Sequence, residues 1–211
     1  MFRQSEICIL FIILFIILFA FFAACSKDEA APGSQEMPGM QEMLPGSQDE
    51  EALVVSFVCV GDNLIHEQIW RRREKNADGR YSFGDLYKPV KALVSAADIA
   101  FVNQETVCGG EALTLADWPR FNSPQEILDA LKETGFNWVS TANNHALDRG
   151  DEGVSAQLDY LSKMEGVVQT GTHATRDDSE ESRILLVNGV RVGLASYTYG
   201  TNGIAAPVGK E

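Results

Sequence analysis

The sequence predicts an α/β domain whose first half is a parallel sheet, and three observations carry that expectation. From residue 53 onward, short apolar runs alternate with stretches of helical period, the pattern of successive βαβ units. The first run, Leu53 to Val60, is a continuous Val-rich block, the composition of a strand covered on both faces. The first three runs each end in polar, chemistry-bearing residues: Asp62, then Asn103 and Glu105, then Asn143, Asn144 and His145. Open α/β sheets place their ligands at these carboxyl ends.

In chain order, residues 1–24 come first and read as a signal peptide. Ile7 to Ala24 is an almost unbroken apolar block preceded by Arg3, and small residues stand directly before Cys25, as in a bacterial lipobox, although Phe22 takes a position where Leu is usual. Cys25 is the expected lipidation site. An uncleaved transmembrane anchor and ordinary secretion are the alternatives, since about 18 apolar residues suffice to span a bilayer. All three place the remainder outside the cytoplasmic membrane, with a lipid anchor on its extracytoplasmic face as the leading expectation.

Residues 25–51 are rich in Gly, Pro, Ser, Gln, Met and acid, too poor in apolar surface to offset the entropy of ordering, and read as a disordered acidic tether. Of the net charge of −13, the stretch from Lys27 to Glu51 carries −6 and residues 52–211 carry −7. A mildly negative folded region argues against a grip on nucleic acid. Arg71, Arg72, Arg73 and Lys75 read as a solvated helical face. Cys59 and Cys108 could pair in an exported domain, while the apolar run around Cys59 equally suits a buried free thiol.

Within residues 52–211 the amphipathic spacing of Val90, Leu93, Val94 and Ala97 predicts a helix over Leu86 to Ala97. Asp98 to Glu105 is a second strand. Ser123, Pro124 and Glu126 form a capping box opening a helix over Pro124 to Thr134, and Gly135 closes it. Phe136 to Thr141 is the third strand. Val154, Leu158 and Leu161 mark a helix over Glu152 to Met164, and Val167 and Val168 begin a fourth strand. Ile184 to Val187 and Val190 to Tyr199, joined by Asn188 and Gly189, read as a hairpin on a type I′ turn. One pair among Ser196 to Tyr199 should face the core.

Taken singly, Asp62 could cap a helix, Glu105 could be a surface acid and Asn143–Asn144 a turn. Their joint recurrence at strand ends favours a site. Close carboxylates repel unless a cation lies between them, and oxygen donors with one His suit Mg, Mn, Fe or Zn, with a bridging carboxylate able to hold two ions. Trp118, Arg120 and Phe121 could line a groove, Arg120 meeting substrate carboxylates; packing of the two aromatics on the sheet is the alternative.

Gly61-Asp62, Asn103 to Thr106, Phe121 to Pro124, Ala142 to Gly150 and Tyr197 to Gly203 together resemble the bacterial capsule-synthesis CapA family, whose members are associated with poly-γ-glutamate. The resemblance implies a variant of the calcineurin-like metallophosphatase fold, a β-sandwich flanked by helices, with two divalent ions. It implies Asp62, Glu105 and Asn144 as metal ligands and His145 as proton donor or transition-state stabiliser. Asn103, Asn143 and Arg120 are the candidate substrate contacts, and Asp148 is expected to cap the Arg149–Gly150 turn. The calcineurin-like pattern has His two residues after its first Asp; here Leu64 stands there, and His66 follows. Family members continue into further His-containing motifs, so residues 52–211 are expected to be the N-terminal portion of a longer domain. The function implied is a metal-dependent hydrolase or transferase acting on poly-γ-glutamate or another anionic envelope polymer, with other capsule-synthesis proteins as possible partners. A non-catalytic polymer-binding or assembly protein on the same fold is the alternative.

Overall fold

Four parallel strands in chain order form the sheet that positions everything else. In a computed structural model, which describes residues 53–207, β1 (Phe57–Asp62), β2 (Ile99–Asn103), β3 (Trp138–Ser140) and β4 (Val168–Thr170) lie side by side in the order β1-β2-β3-β4. All three pairings are parallel, with Asp62 beside Asn103 and Asn103 beside Ser140. The protein is therefore α/β, as the alternation predicts. The signal-peptide, Cys25 and tether expectations lie outside the described residues, among which no helix is long and apolar enough to cross a membrane.

The connections are helical. α1 (Glu67–Trp70), α2 (Gly84–Tyr87) and α3 (Lys91–Val94) link β1 to β2; α4 (Glu126–Thr134) precedes β3 and α5 (Gly150–Leu161) precedes β4. α4 buries Ile127, Leu128, Ala130 and Leu131, the helical spacing of one apolar face. That face meets Ala100, Val102 and Val139 of the sheet, with Phe83, Val94, Phe136 and Leu161 completing the core. Each fully buried Leu or Ile contributes about 1.5–3 kcal/mol relative to exposure. Gly135 ends α4 at φ 113°, and a Cβ there would come 2.9 Å from Ser95 Cα, so both backbone hand and close approach require glycine.

Four details differ from expectation. β1 is not covered on both faces: it is an edge strand, with Phe57 49% exposed and Cys59 open to solvent, because burial of an edge depends on neighbours that its own sequence does not specify. The helix expected over Leu86 to Ala97 is two short helices around Pro89, which lacks the N–H a continuous helix needs; Val90 and Leu93 are exposed. Ser123 is not an N-cap. It is buried, with its hydroxyl on Thr106 Oγ1 at 2.9 Å, and α4 begins at Glu126. The cysteines are not paired: Cys59 is an exposed free thiol and Cys108 a buried one.

After β4, α6 (Arg176–Glu180) leads into the antiparallel hairpin of β5 (Ile184–Val187) and β6 (Val190–Gly193). Asn188 and Gly189 at its tip have φ of 50° and 80°, as a type I′ turn requires. The Asn188 amide donates to Val54 O and to Asp98 Oδ1. Past Gly193 the chain leaves the ladder. Tyr197 and Tyr199 are exposed, while Ser196 turns to the sheet and bonds Thr170 at 2.8 Å.

Candidate functional site

The parallel register brings the polar strand ends to one edge. Asp62 closes β1, and the Asn103 amide donates to Asp62 Oδ1 at 2.7 Å. Glu105 lies two residues past β2, in a segment pinned from both sides: the Gln104 N–H donates to Ser140 O, and the Asn143 amide donates to Gln104 O. Asp62, Asn103, Glu105, Asn143 and Asn144 line one open cavity of about 570 Å³, together with residues 197–203.

Beneath this surface lies a network of buried polar side chains. Gln104 is buried, bonding Asn63 at 2.7 Å and Thr106 O at 2.7 Å. The Tyr87 hydroxyl donates to Asn63 Oδ1, and burial pushes its pKa up to about 12. Asn122 is wholly buried and holds the loop between β2 and α4, accepting the Gly109 N–H at 2.9 Å and donating to Gly110 O and Thr114 O. A Cβ on Gly109 would sit 2.7 Å from Asn122 Oδ1. At β4's exit, Gly171, at φ 112°, lies so close to Ala142 that a Cβ would meet its N at 2.4 Å. The turn carrying Asn143 to His145 is thereby pressed against the sheet.

His145 is 8% exposed. Its Nδ1 lies 2.7 Å from Asp148 Oδ2, its Nε2 4.0 Å from Glu105 Oε1, and Phe121 packs edge-on against its ring at 4.8 Å. Asp148 is thus the partner that orients the imidazole, rather than a turn cap; the three-residue spacing was the signal available. Phe121 also packs edge-on against His66 at 5.2 Å, and His66 Nδ1 lies 2.8 Å from Asp117 Oδ1. Nothing local in the sequence joins His66 to Asp117.

The other expected residues divide. Asn143 spends both ends of its amide internally, donating to Gln104 O and accepting the His145 N–H at 2.9 Å. Asn144 is exposed and its amide donates to Asn202 Oδ1 at 3.4 Å. Arg120 is exposed and outside the cavity lining. Phe121 is buried while Trp118 is 73% exposed, so the two aromatics part company. Arg71, Arg73 and Lys75 pair with Glu67, Asp85 and Glu111.

Electrostatically the cavity is acidic. Burial raises the Glu105 carboxyl above its usual range, Asp62 raises it further, and His145 and His66 oppose. Asn103 Oδ1 is buried with no hydrogen-bond partner among the described residues. Two carboxylates and an orphaned amide oxygen are the donors a hard divalent cation takes. Among the described residues no three His, Cys, Asp or Glu side chains converge to hold an ion.

The profile of the family described as "Bacterial capsule synthesis protein PGA_cap" matches residues 56–210. Two Sinorhizobium fredii (strain NBRC 101917 / NGR234) proteins, y4sH and y4uA, are each 32% identical over 186 residues, covering 82% of this chain and 36% of theirs. A Bacillus subtilis (strain 168) protein named PGA biosynthesis protein CapA is 25% identical over 189 residues, covering 88% of this chain and 44% of its own. The chain thus spans less than half the length of these relatives.

Proposed function

The chain belongs to the bacterial capsule synthesis protein PGA_cap family, and from that membership we propose that it acts at the cell surface in the synthesis or processing of poly-γ-glutamate or another anionic envelope polymer, as a divalent-metal-dependent hydrolase or transferase. The observation that carries the catalytic part is the Asp148–His145–Glu105 line. An imidazole fixed at Nδ1 presents Nε2 to the one cavity carboxylate whose ionised form is disfavoured, the arrangement of a group that moves a proton to a leaving atom.

Asp62, Glu105 and Asn144 are the proposed metal ligands, with Asn103 Oδ1 a further oxygen donor. A divalent cation bound there would polarise a substrate oxygen and offset the repulsion between the two carboxylates and an anionic polymer. Arg120 is the proposed counter-charge for substrate carboxylates outside the cavity. Residues 1–24 are the proposed signal peptide and Cys25 the lipid anchor to the membrane, with other capsule-synthesis proteins as neighbours there. The finer fold assignment belongs to the same reading: the parallel sheet is proposed as one layer of a calcineurin-like sandwich, supported by the uncovered Phe57 and Cys59 on its edge strand.

The test is metal content and function of the full-length protein. Purified protein should carry a divalent metal, and Asp62→Ala and His145→Ala should abolish polymer processing. Absence of bound metal together with full function of both variants would overturn the enzyme reading and leave that of a non-catalytic polymer-binding or assembly protein.

A further inference from the structure

The site holds a second carboxylate-oriented imidazole that the proton-donor role does not use. His66 stands at the position before α1 without capping it through its side chain, and its Nδ1 lies 2.8 Å from Asp117 Oδ1. Asp117 is an acceptor in that bond. Burial pushes its carboxyl up, but the Trp118 and Glu67 backbone N–H groups and His66 outweigh it, leaving the pKa below the usual range. The ring nitrogen therefore donates, and in the neutral ring the lone pair is on Nε2. No hydrogen bond among the described residues engages that nitrogen.

A shared aromatic contact places His66 beside His145. Phe121, 1% exposed, stands edge-on between the two histidines, at 5.2 Å from His66 (79°) and 4.8 Å from His145 (83°). His145, 10% exposed at the side chain, is enclosed, whereas His66, at 44%, is open on one side. His145 Nε2 lies 4.0 Å from the Glu105 carboxylate, and the His66 ring is the more accessible of the two.

We propose that His66 is the general base of the site, complementary to His145 and held in its tautomer by Asp117. This rests on the hydrolase or transferase reading above. The O–H bond of an incoming water or acceptor hydroxyl breaks, its proton passing to His66 Nε2. Its oxygen bonds to the electrophilic centre of the substrate. The bond from that centre to the leaving atom breaks with its electron pair, and the leaving atom takes the Nε2 proton of His145, which enters the step as imidazolium with its Nδ1–H on Asp148. His66 then loses its proton to solvent and His145 regains one, so the net change is addition of water, or of the hydroxyl, across the broken bond.

The experiment uses full-length protein with bis(4-nitrophenyl) phosphate and poly-γ-glutamate as probes. His66→Gln should lower kcat by about 100-fold or more, with KM and melting temperature little changed. Added imidazole should restore much of the activity of His66→Ala, and Asp117→Asn should show a partial kcat loss. Nitrogen-15 spectra of labelled histidine should show His66 in the Nδ1–H form with Nε2 unprotonated. A wild-type protein active on either probe, with His66→Gln retaining its kcat, would overturn the base role alone. Inactivity of the wild type on both probes would overturn the hydrolase reading and the base role with it. A His66 ring protonated on Nε2 in its neutral form would overturn the assignment whatever the activity.

Discussion

His145 Nδ1 and Asp148 Oδ2 lie 2.7 Å apart, and the same carboxylate oxygen accepts the Phe121 backbone N–H at 2.7 Å. One anion therefore fixes both the imidazole and the loop bearing the ring that packs on it. Asp148→Asn keeps the shape but weakens the acceptor and permits the wrong tautomer. The expected outcome is a kcat loss of about 10²–10⁴-fold with the fold retained, measured by steady-state kinetics and circular dichroism on full-length protein. An unchanged kcat would make the pair purely structural.

Glu105 carries a pH signature of definite sign. Its folded pKa is raised, first by burial and then by Asp62, so the native state holds this proton more tightly than the unfolded chain. The ionised group opposes folding above the folded pKa, and that cost disappears as pH falls below the ordinary value of 4.5. In metal-free buffer, Glu105→Gln should raise the melting temperature at neutral pH, with the gain shrinking toward about pH 4. A gain that grows on acidification would contradict the assignment.

The two described thiols should differ sharply in reactivity. Cys59 is exposed; Cys108 is fully buried, and burial pushes its pKa far above the ordinary thiol range. Since the thiolate is the reactive form, native protein should label rapidly at Cys59 and at Cys108 only on unfolding. Peptide mapping after a timed maleimide pulse reads this directly, and a Cys59–Cys108 disulfide in the map would refute it.

Asn122 holds the loop between β2 and α4 with three side-chain bonds to backbone groups. Asn122→Ala removes them and strands buried polar atoms, for an expected loss of about 2–4 kcal/mol. Asn122→Asp keeps the acceptor for the Gly109 N–H and loses both donors, so it should also destabilise. Urea unfolding would measure both, and a loss below about 1 kcal/mol for Asn122→Ala would show that water replaces the amide.

Much of the fold was legible because it rests on local chemistry: the alternating elements, the left-handed Gly135, the Asn188–Gly189 turn and the polar strand ends can each be read within a few residues. The misreadings have non-local causes. Covering the second face of β1 depends on what lies beyond an edge, and the Ser123 hydroxyl found Thr106 rather than the start of α4. For the candidate site, Asp62, Glu105 and His145 were visible at strand ends, and Asp148 was visible but assigned to a turn. Asp117 sits 51 positions from His66, and only the folded loop brings the two together.

Strand order here equals chain order, which gives the molecule a direction of assembly. Each strand can add to the finished edge of the one before it as the polypeptide emerges, without waiting for a distant segment. Asp62 and Asn103 sit side by side on the first two strands, which are tied at their opposite end by Ser56, whose N–H and hydroxyl both bond Asp98. The acidic half of the cavity thus rests on the first two strands alone.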